Sequence, residues 1–140
     1  MTREVRCPCG TVRFAIDGPI RDVIVCHCDA CQRATGGPWP ASAAYRGDLT
    51  LEDDAALIWE RGGVSEFGAS RGRCRACGTV VLWDAPERET VSFAAALLAE
   101  PAEIAVAAEI WCGVEDGASA PEIPAFPAGL PASVEIRWVT

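Results

Sequence analysis

The chain has 140 residues, half of them hydrophobic, which fits one domain with a sizeable core. Its formal net charge of −8 sets it against nucleic acid, whose phosphates demand clustered basic surface. No stretch approaches the roughly eighteen uninterrupted apolar residues of a membrane helix, and residues 1–25 hold no apolar run long enough for a signal peptide, so the expectation is a cytoplasmic protein with reduced thiols and no membrane partner.

Short strands punctuated by Gly and Pro dominate the chain. Thr11 to Ile16 places Val12, Phe14 and Ile16 on one face, Asp17-Gly18-Pro19 turns the chain, and Val23-Ile24-Val25 follows, which predicts a hairpin running into the cysteines at 26–31. Asp29 is the expected N-cap of a short helix through Cys31, Gln32, Arg33 and Ala34, ended by Gly36-Gly37. Further strands are expected at Ala41–Tyr45, Leu49–Leu51, Leu57–Glu60, Ser65–Ser70, Thr79–Trp83, Thr90–Ala95 and Ser133–Val139. Between Ala94 and Ile110 the Ala- and Leu-rich composition favours helix, but Pro101 interrupts it and Ile104 and Val106 alternate, so a strand is expected after Pro101. Residues 117–131, with Pro121, Pro124, Pro127 and Pro131, read as an irregular loop. The sum is one mainly β domain over residues 1–140, made of short antiparallel strands with one short helix.

Seven of the eight cysteines fall into three clusters, Cys7-Pro-Cys9, Cys26-His-Cys28-Asp-Ala-Cys31 and Cys74-Arg-Ala-Cys77. Cysteines this close make strained, easily reduced rings, whereas thiolates feeding one cation need to be close, so the pattern points to zinc rather than to disulfides. The first and third clusters are knuckles, each followed by a glycine (Gly10, Gly78) that relieves the turn. Together Cys7, Cys9, Cys74 and Cys77 supply four sulfurs, a closed and therefore structural site. Cys26, Cys28 and Cys31 supply three, the arrangement that leaves a coordination position open for chemistry. Three thiolates on a dication also leave one formal negative charge where four leave two, so a small molecule can still approach.

Other residues near the clusters have two readings each. His27, the only histidine, lies between two ligands in extended backbone, so its ring should face away from the metal. Cys112 reads as a buried bystander in Ile110-Trp111-Cys112, the alternative being a fourth ligand that closes the second site. Gln32 and Arg33 are candidate substrate-binding residues, Arg33 offering a bidentate partner for a carboxylate, or else helix residues satisfying nearby backbone. Trp39, in Pro38-Trp39-Pro40, and Trp59 are candidate pocket walls or core. Arg71, Arg73 and Arg75 surround the first cysteine of the last knuckle and are expected to offset the charge of the closed site or to sit in water, the alternative being recognition of an anion.

The order Cys-x-Cys-Gly, then Cys-His-Cys-x-x-Cys-Gln-Arg-x-x-Gly, then Cys-x-x-Cys-Gly before an apolar strand resembles the glutathione-dependent formaldehyde-activating enzyme family, to which centromere protein V is also similar. The resemblance spans residues 7–131 when Gly129-Leu130-Pro131 is taken as the family's late Gly-Leu-Pro. It implies a compact β-tent type fold and two zinc ions, a structural one at Cys7, Cys9, Cys74 and Cys77 and a catalytic one at Cys26, Cys28 and Cys31. It further implies a carbon–sulfur lyase-type activity, the addition of glutathione or a related thiol to formaldehyde or a related aldehyde. The competing expectations are a noncatalytic zinc-stabilised binding module and an iron–thiolate protein, the latter distinguished by colour.

Overall fold

The computed structural model describes residues 2–62, 68–100, 102–112 and 122–140. In chain order the strands are β1 (Arg3–Arg6), β2 (Arg13–Ile16), β3 (Ile20–Arg21) and β4 (Val23–Cys26). The α-helix α1 (Asp29–Thr35) follows, then β5 (Trp39–Tyr45), β6 (Leu49–Leu51), β7 (Leu57–Arg61), β8 (Ser70–Cys74), β9 (Val80–Asp84), β10 (Thr90–Ala94), β11 (Val106–Ile110) and β12 (Trp138–Val139). The protein is mainly β, with one α-helix among the described residues. No helix among them is long and apolar enough to cross a membrane.

Two sheets face each other. The smaller has the order β1-β2-β6, and the larger runs β11-β4-β5-β10-β9-β8-β7, with β3 pairing β5 and β12 pairing β3. Pairing is antiparallel except between β11 and β4, where Ile110 lies opposite Cys26. The alternation in β2 turns Phe14 and Ile16 inward, against Val91 and Phe93 of β10 and Leu82 of β9. Phe14 and Phe93 meet edge to face, ring centroids 6.0 Å apart at 77°. Cys7 and Cys74 belong to this same core, so two sulfurs of the first cysteine cluster are packed into the layer that joins the sheets.

The expected hairpin between residues 11–16 and 23–25 does not form. β2 pairs β1 and β6, while β4 is a strand of the other sheet between β5 and β11. Val23, Ile24 and Val25 are all buried, without alternation, as a strand covered on both faces requires. The Asp17 amide instead bonds the Asp48 carbonyl at 2.9 Å, so the Asp17-Gly18-Pro19 turn carries the chain from one sheet to the other. The strand expected at residues 65–70 starts at Ser70; positions 65–67 lie outside the described residues, as do 117–121 of the expected loop. Of residues 133–139 only Trp138–Val139 is strand. β1 was not legible, because Arg-Glu-Val-Arg offers one inward apolar residue, Val5, and so no periodicity.

Candidate metal centre

The first cluster is built from two turns of the same design. In each, the amide of the glycine bonds back to the carbonyl of the first cysteine: Gly10 to Cys7 at 2.9 Å, Gly78 to Cys74 at 2.9 Å. Both glycines have φ 78°, a conformation that a side chain disfavours. Amides aim at the buried sulfurs, Val12 N to Cys7 Sγ at 3.3 Å and Cys77 N to Cys74 Sγ at 3.4 Å. Cys9 Sγ and the Thr11 hydroxyl are hydrogen-bonded at 3.2 Å, and Cys77 Sγ and the Thr79 hydroxyl at 3.3 Å. The shared run Cys-Gly-Thr-Val after each knuckle is the sequence signal for this repeat.

These donors sort the thiols. The Thr79 hydroxyl brings Cys77 down to about 6, and Thr11 lowers Cys9. Burial pushes Cys74 up to about 11. The Sγ atoms of Cys7, Cys9, Cys74 and Cys77 all lie within 4.8 Å of one another. Cys7–Cys9, Cys7–Cys74 and Cys9–Cys74 are 3.4, 3.6 and 3.7 Å apart. A tetrahedron with Zn–S bonds of about 2.3 Å has edges of about 3.8 Å, so the sulfurs fit a zinc ion. Gly78→Ala tests the turn: an added Cβ would meet nothing within 4 Å, so only the φ cost remains. The expected loss is about 1 kcal/mol, read as a drop of about 4 °C in the melting midpoint.

The second cluster gathers at the junction of β4 and α1. Cys26 ends β4, and Cys28, not Asp29, caps the helix: its sulfur accepts the Cys31 amide at 3.3 Å. A sulfur fills the capping role because it must also face its neighbours, while Asp29 becomes the first helical residue. At the other end Gly36 adopts φ 85° and closes the helix on the Gln32 carbonyl. The three sulfurs lie within 4.8 Å of one another, with Cys26 and Cys31 at 3.2 Å. Hydrogen bonds from Cys26 and Cys28, and the Arg71 guanidinium 3.4 Å away, bring Cys31 down to about 6. The same contact with Cys31, together with burial, pushes Cys26 up, and burial raises Cys28. Three crowded sulfurs beside a guanidinium are a donor set that suits a thiophilic dication.

Of the other candidates, Trp39 is buried with Cys31, Ala41, Val80 and Ala94 and forms an apolar wall of the cluster. Gln32 donates its amide to the His27 carbonyl at 2.8 Å, and Arg33 is exposed in the last turn of α1. Trp59 is 40 % exposed on β7, the edge of the large sheet. Cys112 belongs to neither sulfur cluster. Arg73 ties the second knuckle to the helix, donating to the Gly78 carbonyl at 2.8 Å and the Ala34 carbonyl at 3.3 Å.

Sequence reasoning missed Glu109. The His27 ring bonds it, Nε2 to Oε1 at 2.9 Å, and Glu109 is fully buried on β11. The signal was present: a lone acid inside Val106–Ile110 is a buried charge in need of a partner. A cavity of about 640 Å³ bordered by Arg3, Leu98 and Thr140 has no cysteine in its wall.

A mainly β scaffold carrying two cysteine clusters that could hold metal ions is the class this structure defines. The profile of the glutathione-dependent formaldehyde-activating enzyme family matches residues 2–114, and the chain belongs to that family. The match ends before Gly129-Leu130-Pro131. A Rhodobacter sphaeroides protein of known crystal structure shares the fold, with a TM-score of 0.57 and 23 % identity over 74 % of this chain and 92 % of that one. No curated protein sequence matches the chain.

Proposed function

We propose that this single-domain protein is a zinc-dependent carbon–sulfur lyase-type enzyme that adds glutathione, or a related thiol, to formaldehyde or a related aldehyde, giving an S-hydroxymethyl thiol. The observation that carries this reading is the inequality of the two clusters: four sulfurs in one, three in the other, with Cys112 in neither. In the family to which the chain belongs, a thiol and an aldehyde are the reactants that the family's name implies. A zinc ion held by Cys26, Cys28 and Cys31 would favour the thiolate form of a thiol and polarise a carbonyl. The ion at Cys7, Cys9, Cys74 and Cys77 would be structural.

The surrounding residues prepare that site. Arg71 sets a positive charge against Cys31, which tempers the negative charge of three thiolates. Gln32 and His27 fix the loop between Cys26 and Cys28, and Trp39 excludes water from one side of the cluster. Seven cysteines used as metal ligands need thiols kept reduced, which supports a cytoplasmic location.

The test must outrun an adduct that forms without help, so the quantity to measure is exchange at equilibrium. Two-dimensional exchange NMR on glutathione and labelled formaldehyde should show interconversion with the adduct accelerated by the zinc-loaded protein. Cys31→Ser, with zinc at the four-cysteine site confirmed by metal analysis, should fall at least a hundredfold toward the protein-free rate. Equal exchange rates with and without wild-type protein would end the enzymatic reading in favour of a zinc-stabilised binding module.

A further inference from the structure

Arg21 is a half-buried cation with no acid to balance it. Ile20, just before it, is fully buried in the core between the sheets, so Arg21 projects from the other face of the large sheet. There its Nη2 donates to the Ala41 carbonyl at 3.1 Å and its Nε to the Asp22 carbonyl at 3.2 Å. Ala41 packs with Cys31 and Trp39, so the guanidinium is bonded to a residue of the apolar cluster that includes Cys31. Carbonyls take two of its N–H groups but leave the charge uncompensated. The adjacent carboxylate is committed elsewhere: Asp22 accepts from Arg137 Nε and Nη2 and from the Ala105 amide, each at 3.0 Å.

A second guanidinium adds to the imbalance. Arg88 lies over the Trp83 ring, 5.2 Å from its centroid, and Trp83 borders the same apolar cluster around the cysteines. Burial, and then the charge of Arg88, push Arg21 down to about 10. Neither arginine makes an ion pair among the described residues. The chain has 20 acidic residues against 12 basic ones, so two neighbouring arginines without a carboxylate are a departure from its own composition. An unbalanced cation near the interior is costly unless a counterion arrives from outside.

We propose that Arg21 and Arg88 form an anion subsite beside Cys26, Cys28 and Cys31, which receives a carboxylate of the small thiol that reacts there. Guanidinium forks suit a carboxylate because two N–H groups can meet its two oxygens. The identity of the ligand as the reacting thiol rests on the function proposed above; anion binding itself does not.

The experiment uses the zinc-loaded protein and S-methylglutathione, whose blocked sulfur cannot react, with binding read by calorimetry. Wild type should bind it, while Arg21→Gln and Arg88→Gln should each bind at least tenfold more weakly. Arg6→Gln, at an exposed position of β1 in the small sheet, should bind as wild type does. The diethyl ester of the same probe should bind wild type and Arg21→Gln alike. Removing an unbalanced charge should not lower the melting midpoint of Arg21→Gln, and the exposed Arg88 gives a second variant whose folding is not at stake. Equal affinity of wild type and both variants, no binding by wild type, or an ester as tight as the acid would each overturn the subsite. Because no turnover is read, arginine-dependent binding without accelerated exchange would leave the subsite standing and remove the reaction, and the converse would remove the subsite alone.

Discussion

Cys74→Ser is expected to abolish the cooperatively folded state and to remove one metal ion per chain. Cys74 ends β8, is 1 % exposed, and packs in the core against Cys7, which precedes it by 67 residues. The cluster therefore closes a loop between the β1–β2 turn and the β8–β9 turn. Metal binding at structural sites is apparent folding free energy of about 10–16 kcal/mol, while a whole domain is stable by about 5–15 kcal/mol. Losing the site thus removes an amount comparable to the entire stability. The serine adds a second penalty, a hydroxyl left in an apolar layer. Cys9→Ser should do much less damage, because Cys9 is exposed and water can take its place. Metal content per chain and a thermal melt followed by circular dichroism check both variants. If Cys74→Ser keeps two metals and melts within a few degrees of wild type, the four-cysteine cluster does not hold the sheets together.

That dependence explains what the sequence revealed and what it concealed. Ligand sets are local in sequence: Cys7 and Cys9 share one turn, Cys74 and Cys77 another, and Gly10 and Gly78 mark both turns by needing positive φ. Strand positions such as Leu49–Leu51 and Thr90–Ala94 follow from alternation, which is also local. Pairing is not. Nothing within residues 11–25 says that β2 belongs with β6 and β4 with β5, because that choice depends on which faces the rest of the chain covers. The Asp29 capping expectation failed for a related reason: propensity ranks Asp among the best caps, but the cluster demands that Cys28 stand one residue earlier with its sulfur turned toward Cys31. Glu109 and Arg21 escaped notice because their meaning lies in partners 82 and 20 residues away, His27 and Ala41.

Glu109→Leu is the variant that separates the three-cysteine site from the rest of the fold. The carboxylate is fully buried and bonds the ring of His27, the residue between Cys26 and Cys28. The His27 amide in turn donates to the Ile110 carbonyl at 3.0 Å, and its own carbonyl accepts from Gln32. Ring, amide and carbonyl are therefore held from β11 and from α1, which fixes the backbone that presents two of the three sulfurs. Leucine fills the volume but strands the buried ring, at an expected cost of about 3 kcal/mol. Glutamine keeps a hydrogen-bond partner for the ring and should cost about 1 kcal/mol. The more telling readout is metal release under a chelator. Partners that orient ligands are worth about 10–100-fold in affinity, so Glu109→Leu should release one metal at least tenfold faster while the other leaves at the wild-type rate. Glu109→Gln should restore most of that retention. Were both metals released faster by the same factor, the His27–Glu109 bond would be supporting the fold as a whole and not positioning Cys26 and Cys28.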